Sequence, residues 1–105
     1  MALTREFKET VMARAQIDPE FRAGLLSEAI ELLLAGEIDV GKDVLRDFIN
    51  ATIGFESLAE KVGIPPKSLM RMFSAKGNPR ADNLFNIISQ LQQSTGVHLA
   101  VAAAA

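Results

Sequence analysis

Cysteine, tryptophan and tyrosine are absent from this chain of 105 residues, and histidine occurs once. Without cysteine there is neither a disulfide nor a thiolate metal ligand, and one histidine cannot form a histidine-rich metal cluster. No apolar run approaches the roughly 18 residues that a membrane-spanning helix needs. The first ten residues carry charges of both signs, so no secretory signal peptide is expected. We therefore expect a cytoplasmic protein without a membrane segment, a metal or another cofactor.

Residue patterns that mark common enzymes are also missing. There is no nucleophile–histidine–carboxylate set and no glycine-rich phosphate loop. The acidic pairs Glu28/Glu31 and Asp43/Asp47 have helical spacing, but neither has a third ligand in register, and both are expected on solvent-facing surfaces. His98 is interpreted as structural or solvent-facing. The chain is not expected to be an enzyme.

Charge is distributed unevenly along the chain. The net charge is −2, yet residues 55–80 contain five basic residues and two glutamates, a net of +3, which leaves −5 for the remainder. A basic segment in an acidic chain favours a polyanionic partner such as nucleic acid. The asymmetry is modest, however, and five basic side chains on a surface are often only solvated, so charge alone favours that interpretation and leaves the other open.

Apolar residues recur at helical spacing over most of the chain. Helices are predicted over residues 4–16, 19–35, 39–53, 57–62, 66–74 and 80–94. Thr4 and Asp18 are the expected N-caps of the first two helices, and Gly36 and Gly54 are expected stops. The second helix has an apolar face wide enough to predict burial on several sides or an interface.

The segment VHLAVA, residues 97–102, alternates and predicts a short strand. A lone strand cannot satisfy its own backbone groups, so a homodimer that pairs two such strands is expected. The predicted fold is all-α, with five to six helices and a short C-terminal β-strand. A single domain is expected over residues 1–105, with N-terminal helices (1–53), a helix-turn-helix region (54–96) and the strand.

The stretch LAEKVGIPPKSLMRM, residues 58–72, predicts two short helices joined by a tight turn. Gly63 suits the left-handed position after the first helix, which Ser57 is expected to cap. Pro65 and Pro66 prevent the first helix from continuing, and Pro66 suits the first turn of the next. This is the helix-turn-helix arrangement, although a hairpin used only for packing has the same outline.

The second of these helices has two different faces. At about 100° per residue, Leu69, Met72 and Phe73 fall together, and Lys67 and Arg71 project side by side from the opposite face. Like charges four residues apart repel, and an anionic partner would remove that repulsion. Arg71 is the stronger candidate for reading a base, because its planar fork can bond guanine at two points.

Seven positions in this stretch resemble the helix-turn-helix of the Cro/phage-repressor superfamily: Leu58, Ala59, Val62, Gly63, Ile64, Leu69 and Met72. Residues 54–97 also resemble the antidote (antitoxin) half of chromosomal addiction modules and its regulator relatives, which share an LA…TGL…SL…L…GNP pattern. Two residues depart from the superfamily pattern. Phe55 stands where a polar residue often contacts phosphate, and Pro65 replaces a side-chain cap that typically contributes about 1 kcal/mol.

The resemblance implies a sequence-specific transcriptional regulator that binds double-stranded DNA. A narrower reading is an antitoxin of a toxin–antitoxin pair, which represses its own operon and has a small toxin protein as its second partner. The candidate DNA contacts on the second helix are Lys67, Ser68, Met70, Arg71 and Ser74. The candidate phosphate contacts are Lys61, Lys76, Asn78 and Arg80. The alternative is a protein-interaction module whose helix-turn-helix does not bind DNA.

Overall fold

Helices make up the regular secondary structure of residues 5–104, which are the residues that the computed structural model describes. The six helices are α1 (Arg5–Ile17), α2 (Pro19–Leu34), α3 (Ile38–Ala51), α4 (Phe55–Val62), α5 (Pro66–Met72) and α6 (Ala81–Thr95). The all-α prediction is confirmed. Within the described residues, no helix is both long and apolar enough to cross a membrane. The expected cap Thr4 lies outside this range.

One apolar core joins the N-terminal helices to the helix-turn-helix region. Its largest fully buried side chains come from α2 to α6 and the residue after α5: Leu26, Leu45, Phe48, Ile49, Leu58, Leu69, Phe73, Ile87 and Leu91. The rings of Phe55 and Phe73 lie 6.1 Å apart and are tilted by 60°. Phe55 is therefore a core residue that links the start of α4 to the end of α5.

Two carboxylates that were expected on a solvent face are instead half-buried between α1 and α3. The Nζ atom of Lys8 in α1 lies 3.5 Å from Asp43 and 3.7 Å from Asp47 in α3. Burial raises the pKa of Asp47, and the nearby Lys8 only partly opposes that effect. The sequence prediction was wrong here because α1 covers this face of α3 and supplies the opposite charge.

Most helix ends lie close to their predicted positions. The side chain of Asp18 caps α2 by accepting hydrogen bonds from the backbone N–H groups of Glu20 and Phe21, at 3.0 and 3.2 Å. The hydrogen bond from Phe21 lowers the pKa of Asp18 below its usual value. The predicted cap therefore forms and fixes the short connection between α1 and α2.

Two predictions around Gly54 are wrong. α3 ends at Ala51 rather than at residue 53, and α4 begins at Phe55, so Ser57 lies inside the first turn and does not cap it. Gly54 adopts φ +81°, and its N–H donates to the carbonyl oxygen of Ile49 at 2.8 Å. This left-handed turn closes α3 and allows α4 to start at once.

The predicted strand over residues 97–102 is not formed within the described part of the chain. The side chains of Val97 and Leu99 pack against the core, and the N–H of Leu99 donates to Oε1 of Gln92 at 2.9 Å. No second strand lies within residues 5–104 to pair with this segment. The alternating pattern is instead explained by packing of two side chains beside α6.

We expect replacement of Gly63 by alanine to lower the free energy of unfolding by about 1–2 kcal/mol, because a left-handed conformation costs an L-residue about that much. Gly63 has φ +72°, and a Cβ there would meet no heavy atom within 4 Å, so the effect comes from the backbone alone. Gly24→Ala, inside α2 and equally open, is the matched control. It should raise stability by about 0.5–1 kcal/mol. Urea denaturation measures both, and a Gly63→Ala variant as stable as the parent would contradict the assignment.

Candidate nucleic-acid interface

α4 and α5 form the predicted helix-turn-helix. α4 stops at Gly63, whose N–H donates to the carbonyl oxygen of Ala59 at 2.9 Å, and the N–H of Ile64 donates to the same oxygen at 3.2 Å. Pro65 is the N-cap of α5 without a side-chain hydrogen bond, and Pro66 occupies the first helical position. The turn is thus built from one left-handed glycine and two prolines, as the sequence predicts.

The two faces predicted for α5 agree with the burial of its side chains. Leu69 is fully buried and Phe73, the residue that ends the helix, is 2% exposed. Lys67 and Arg71 are exposed, and Met70 is 47% exposed although it is apolar. The core therefore holds one face of α5 and leaves the other available to a partner.

Five of the nine candidate residues surround one open groove of about 430 Å³. These are Ser68, Arg71, Ser74, Lys76 and Asn78. Lys67 and Met70 are exposed on the same helix, beside this groove. Arg80 follows two residues after Asn78, and its guanidinium lies 3.2 Å from the carboxylate of Asp82. The surface formed by residues 67–78 is called the basic face below.

Lys61 lies elsewhere. It lines a separate cavity of about 400 Å³ together with Arg22, Thr52, Ser94 and Thr95. Three helices end at or next to these residues, and the carbonyl groups at helix C-termini attract cations. This gives Lys61 a structural explanation that is independent of nucleic acid, and its role as a phosphate contact stays a prediction.

The basic face carries positive charge that the rest of the chain does not neutralise. Within residues 5–104, the side chains of Lys67, Arg71 and Lys76 form no ion pair, whereas several other basic residues do. Exposed like charges on neighbouring positions contribute nothing to the stability of a helix. Such a cluster is suited to an anionic partner, in a protein whose net charge is −2.

A buried lysine fastens the loop after α5 to α3. Lys42 is only 4% exposed, and its Nζ donates to the carbonyl oxygen of Ser74 at 3.1 Å and to that of Gly77. The carboxylate of Asp39 lies 3.7 Å from the same nitrogen. The loop that supplies Ser74, Lys76 and Asn78 to the basic face is therefore held from beneath by the N-terminal half of the chain.

Sequence reasoning missed Lys42, although a signal for it exists. Residue 42 lies three and seven positions before Leu45 and Ile49, which places it on the apolar stripe of α3. A lysine on a core-facing stripe must find acceptors, because a buried donor left unpaired is costly. Those acceptors come from a loop more than thirty residues away, which no local pattern identifies.

Gly77 allows this loop to fold back tightly against α5. A Cβ at this position would lie 2.8 Å from the carbonyl oxygen of Met72 and closer still to that of Arg71. Real side chains do not approach backbone oxygens so closely. Glycine is therefore required where the loop passes the end of the helix that carries Arg71.

Comparisons of the chain with protein-family models, curated proteins and solved structures find no match. What the chain does is therefore inferred from the geometry of its own residues. The helix-turn-helix, the unpaired basic residues and the buried lysine beneath them are the features that bear on function.

We expect Lys42→Met to destabilise the loop after α5 more than the rest of the molecule. Methionine is similarly long and unbranched but cannot donate to the two carbonyl oxygens, and each buried group left unpaired costs about 1–3 kcal/mol. Hydrogen exchange at the N–H groups of Ser74 and Gly77 should accelerate by more than the loss of global stability alone would cause. Lys67→Met is the matched control, since a substitution at this exposed position should change the free energy of unfolding by no more than about 0.5 kcal/mol. Unchanged exchange in Lys42→Met would show that the loop does not depend on this side chain.

Proposed function

We propose that the protein is a sequence-specific transcriptional regulator that binds double-stranded DNA through the basic face. The observation that carries the proposal is the unpaired charge of Lys67, Arg71 and Lys76 on the exposed side of a helix-turn-helix fixed by the core. The DNA major groove, about 12 Å wide, admits one α-helix and presents base edges to its exposed side. An acidic chain that concentrates cations on that side has the charge distribution of a nucleic-acid-binding surface.

Three exposed residues of α5 have roles in this proposal that their surroundings suit. Arg71 reads a guanine through its planar fork, and Lys67 contacts a base or a neighbouring phosphate. The exposed side chain of Met70 offers an apolar contact for a thymine methyl group. These contacts all come from one face, so they can be made at the same time.

The two serines differ in what they can offer. The hydroxyl of Ser74 donates to the carbonyl oxygen of Arg71 at 2.7 Å, so only its lone pairs are free to accept a hydrogen bond from a base. The hydroxyl of Ser68 has no hydrogen-bond partner within residues 5–104 and can donate to a phosphate. Lys76 and Asn78, on the loop held by Lys42, are proposed to contact the DNA backbone.

Two copies of the chain are part of this proposal. α5 has seven residues and few exposed polar groups, so one copy would bind weakly, and a linked pair gains from effective concentration. A two-fold pair presents two such helices to successive major grooves, about 34 Å apart. Strand pairing between the segments 97–102 of two copies stays a prediction, because a single chain offers this segment no strand partner.

A protein-interaction module is the second candidate, and exposed apolar residues favour it. Leu34 is 75% exposed and Phe85 is 67% exposed, and both line one groove. The narrower antitoxin role depends on the resemblance described above. It would be supported by a neighbouring reading frame for a small protein that co-purifies with this one.

Arg71→Ala is expected to weaken binding to upstream DNA by about 1–3 kcal/mol and to leave the melting temperature unchanged, because the residue is exposed. Fluorescence anisotropy with the upstream fragment and with a shuffled fragment separates specific from general binding. Arg5→Ala is the matched control, since Arg5 is exposed on α1 and paired with Glu9. Undiminished binding by a folded Arg71→Ala variant would remove Arg71 from the interface. Absence of binding by the parent protein at low salt would favour the interaction module.

Lys76→Ala should weaken binding to specific and shuffled DNA alike. Loss of one phosphate contact should reduce the slope of log K against log salt by about 1. The same salt titration on Lys61→Ala shows whether contacts with the DNA backbone extend to the cavity that Lys61 lines. An unchanged slope would be consistent with Lys61 interacting with helix C-termini instead. A Lys76→Ala variant that relaxed sequence preference without changing the slope would reverse the assignment.

A further inference from the structure

An apolar groove of about 310 Å³ opens between the end of α2, the start of α3 and the start of α6. Its walls include Leu34, Ile38 and Phe85, which are 75%, 43% and 67% exposed. Among residues 5–104, no charged side chain lines it. Single exposed apolar residues are common, but a contiguous set marks a surface that another molecule covers.

We infer that a second copy of this chain covers the groove, in a two-fold interface in which Phe85 of each copy enters the groove of the other. This dimer serves the DNA-binding function proposed above. A two-fold interface uses the same patch twice, so the patch must contain both a projection and a recess. Phe85 projects from α6, while Leu33 and Leu84 line the recess beside it and are only partly exposed.

Charge favours a copy of this chain as the occupant. The chain has a net charge of −2, and two identical acidic surfaces repel wherever carboxylates meet. The groove lining contains only apolar side chains and Asn78. The side chains that meet across the groove itself are therefore uncharged, which is how the centres of protein interfaces are usually composed.

Position and size favour it as well. Asn78 lines both this groove and the groove of the basic face, so the two surfaces adjoin. A two-fold axis beside the apolar groove therefore has one basic face on each side of it. Equivalent points on two copies lie apart by twice their distance from a two-fold axis. The molecule measures 35 × 35 × 28 Å, so basic faces that lie half of the longer width from the axis are separated by about 35 Å. That separation is compatible with the roughly 34 Å between successive half-sites on DNA.

The C-terminal tail is a weaker choice for the interface. Val97 and Leu99 already pack against the core of their own chain, and the N–H of Leu99 is bonded to Gln92. Val101 is 94% exposed but has only alanines beside it. The large exposed side chains of α2 and α6 offer more apolar area to bury.

Sedimentation of the full chain without DNA tests the inference. The parent protein should be a dimer at micromolar concentration, and Phe85→Asp should raise its dimer dissociation constant by at least about tenfold, as removal of a central interface residue does. Leu34→Lys, on the opposite wall, should do the same. Both residues are exposed, so circular dichroism should show unchanged helix content. Val101→Asp is the matched control and should leave the dissociation constant unchanged.

Each contrary outcome overturns the inference. A monomeric parent protein would show that a second copy does not occupy the groove. A dimer weakened by Val101→Asp and not by Phe85→Asp would place the interface on the tail. Sedimentation is measured without DNA, so it tests the interface separately from the proposed function. A dimer that responds to the substitutions as expected but does not bind upstream DNA would support the interface and refute the proposed function.

Discussion

The contact of buried Lys42 with the carbonyl oxygens of Ser74 and Gly77 is the interaction on which the basic face depends. A lysine ammonium group taken out of water must find hydrogen-bond acceptors, or it costs several kcal/mol. Here the acceptors belong to a loop with no regular structure of its own. The requirement of one buried group therefore fastens this loop to α3, and it ties α3 to the helix-turn-helix.

The exposed cations of the basic face, unlike buried Lys42, do not stabilise the fold. In water, two like charges 4 Å apart repel by only about 1 kcal/mol, so Lys67, Arg71 and Lys76 are tolerated without being useful to the fold. Under the proposed function their value arises with a polyanion, where each phosphate contact releases counterions. The N-terminal helices thus supply rigidity, through Lys42 and the shared core, and the C-terminal half supplies the charge. The apolar groove adjoins the same loop, so the proposed association of two copies and the proposed contact with DNA lie next to each other.

The sequence predicted the features that depend on local chemistry. The turn around Gly63, the two faces of α5 and the cap at Asp18 follow from glycine, proline, helical period and side-chain hydrogen bonding. Features that depend on distant partners were missed or misjudged. The role of Lys42 needs a loop that lies far along the chain, and the burial of Asp43 and Asp47 needs α1 to cover them. The alternation of VHLAVA was interpreted as a strand. Val97 and Leu99, two residues apart, pack beside α6, and over so short a segment this gives the same alternating pattern as a strand.

The central claim is that the basic face, held by Lys42, is the surface that meets DNA. Amide chemical shifts of the full chain, followed by nuclear magnetic resonance during titration with the upstream DNA duplex, test it most directly. The account predicts that the largest shift changes fall within residues 66–80 and that they diminish as salt is raised. Shift changes confined to the apolar groove around Phe85, or to the cavity around Arg22, or no changes at low salt, would contradict it.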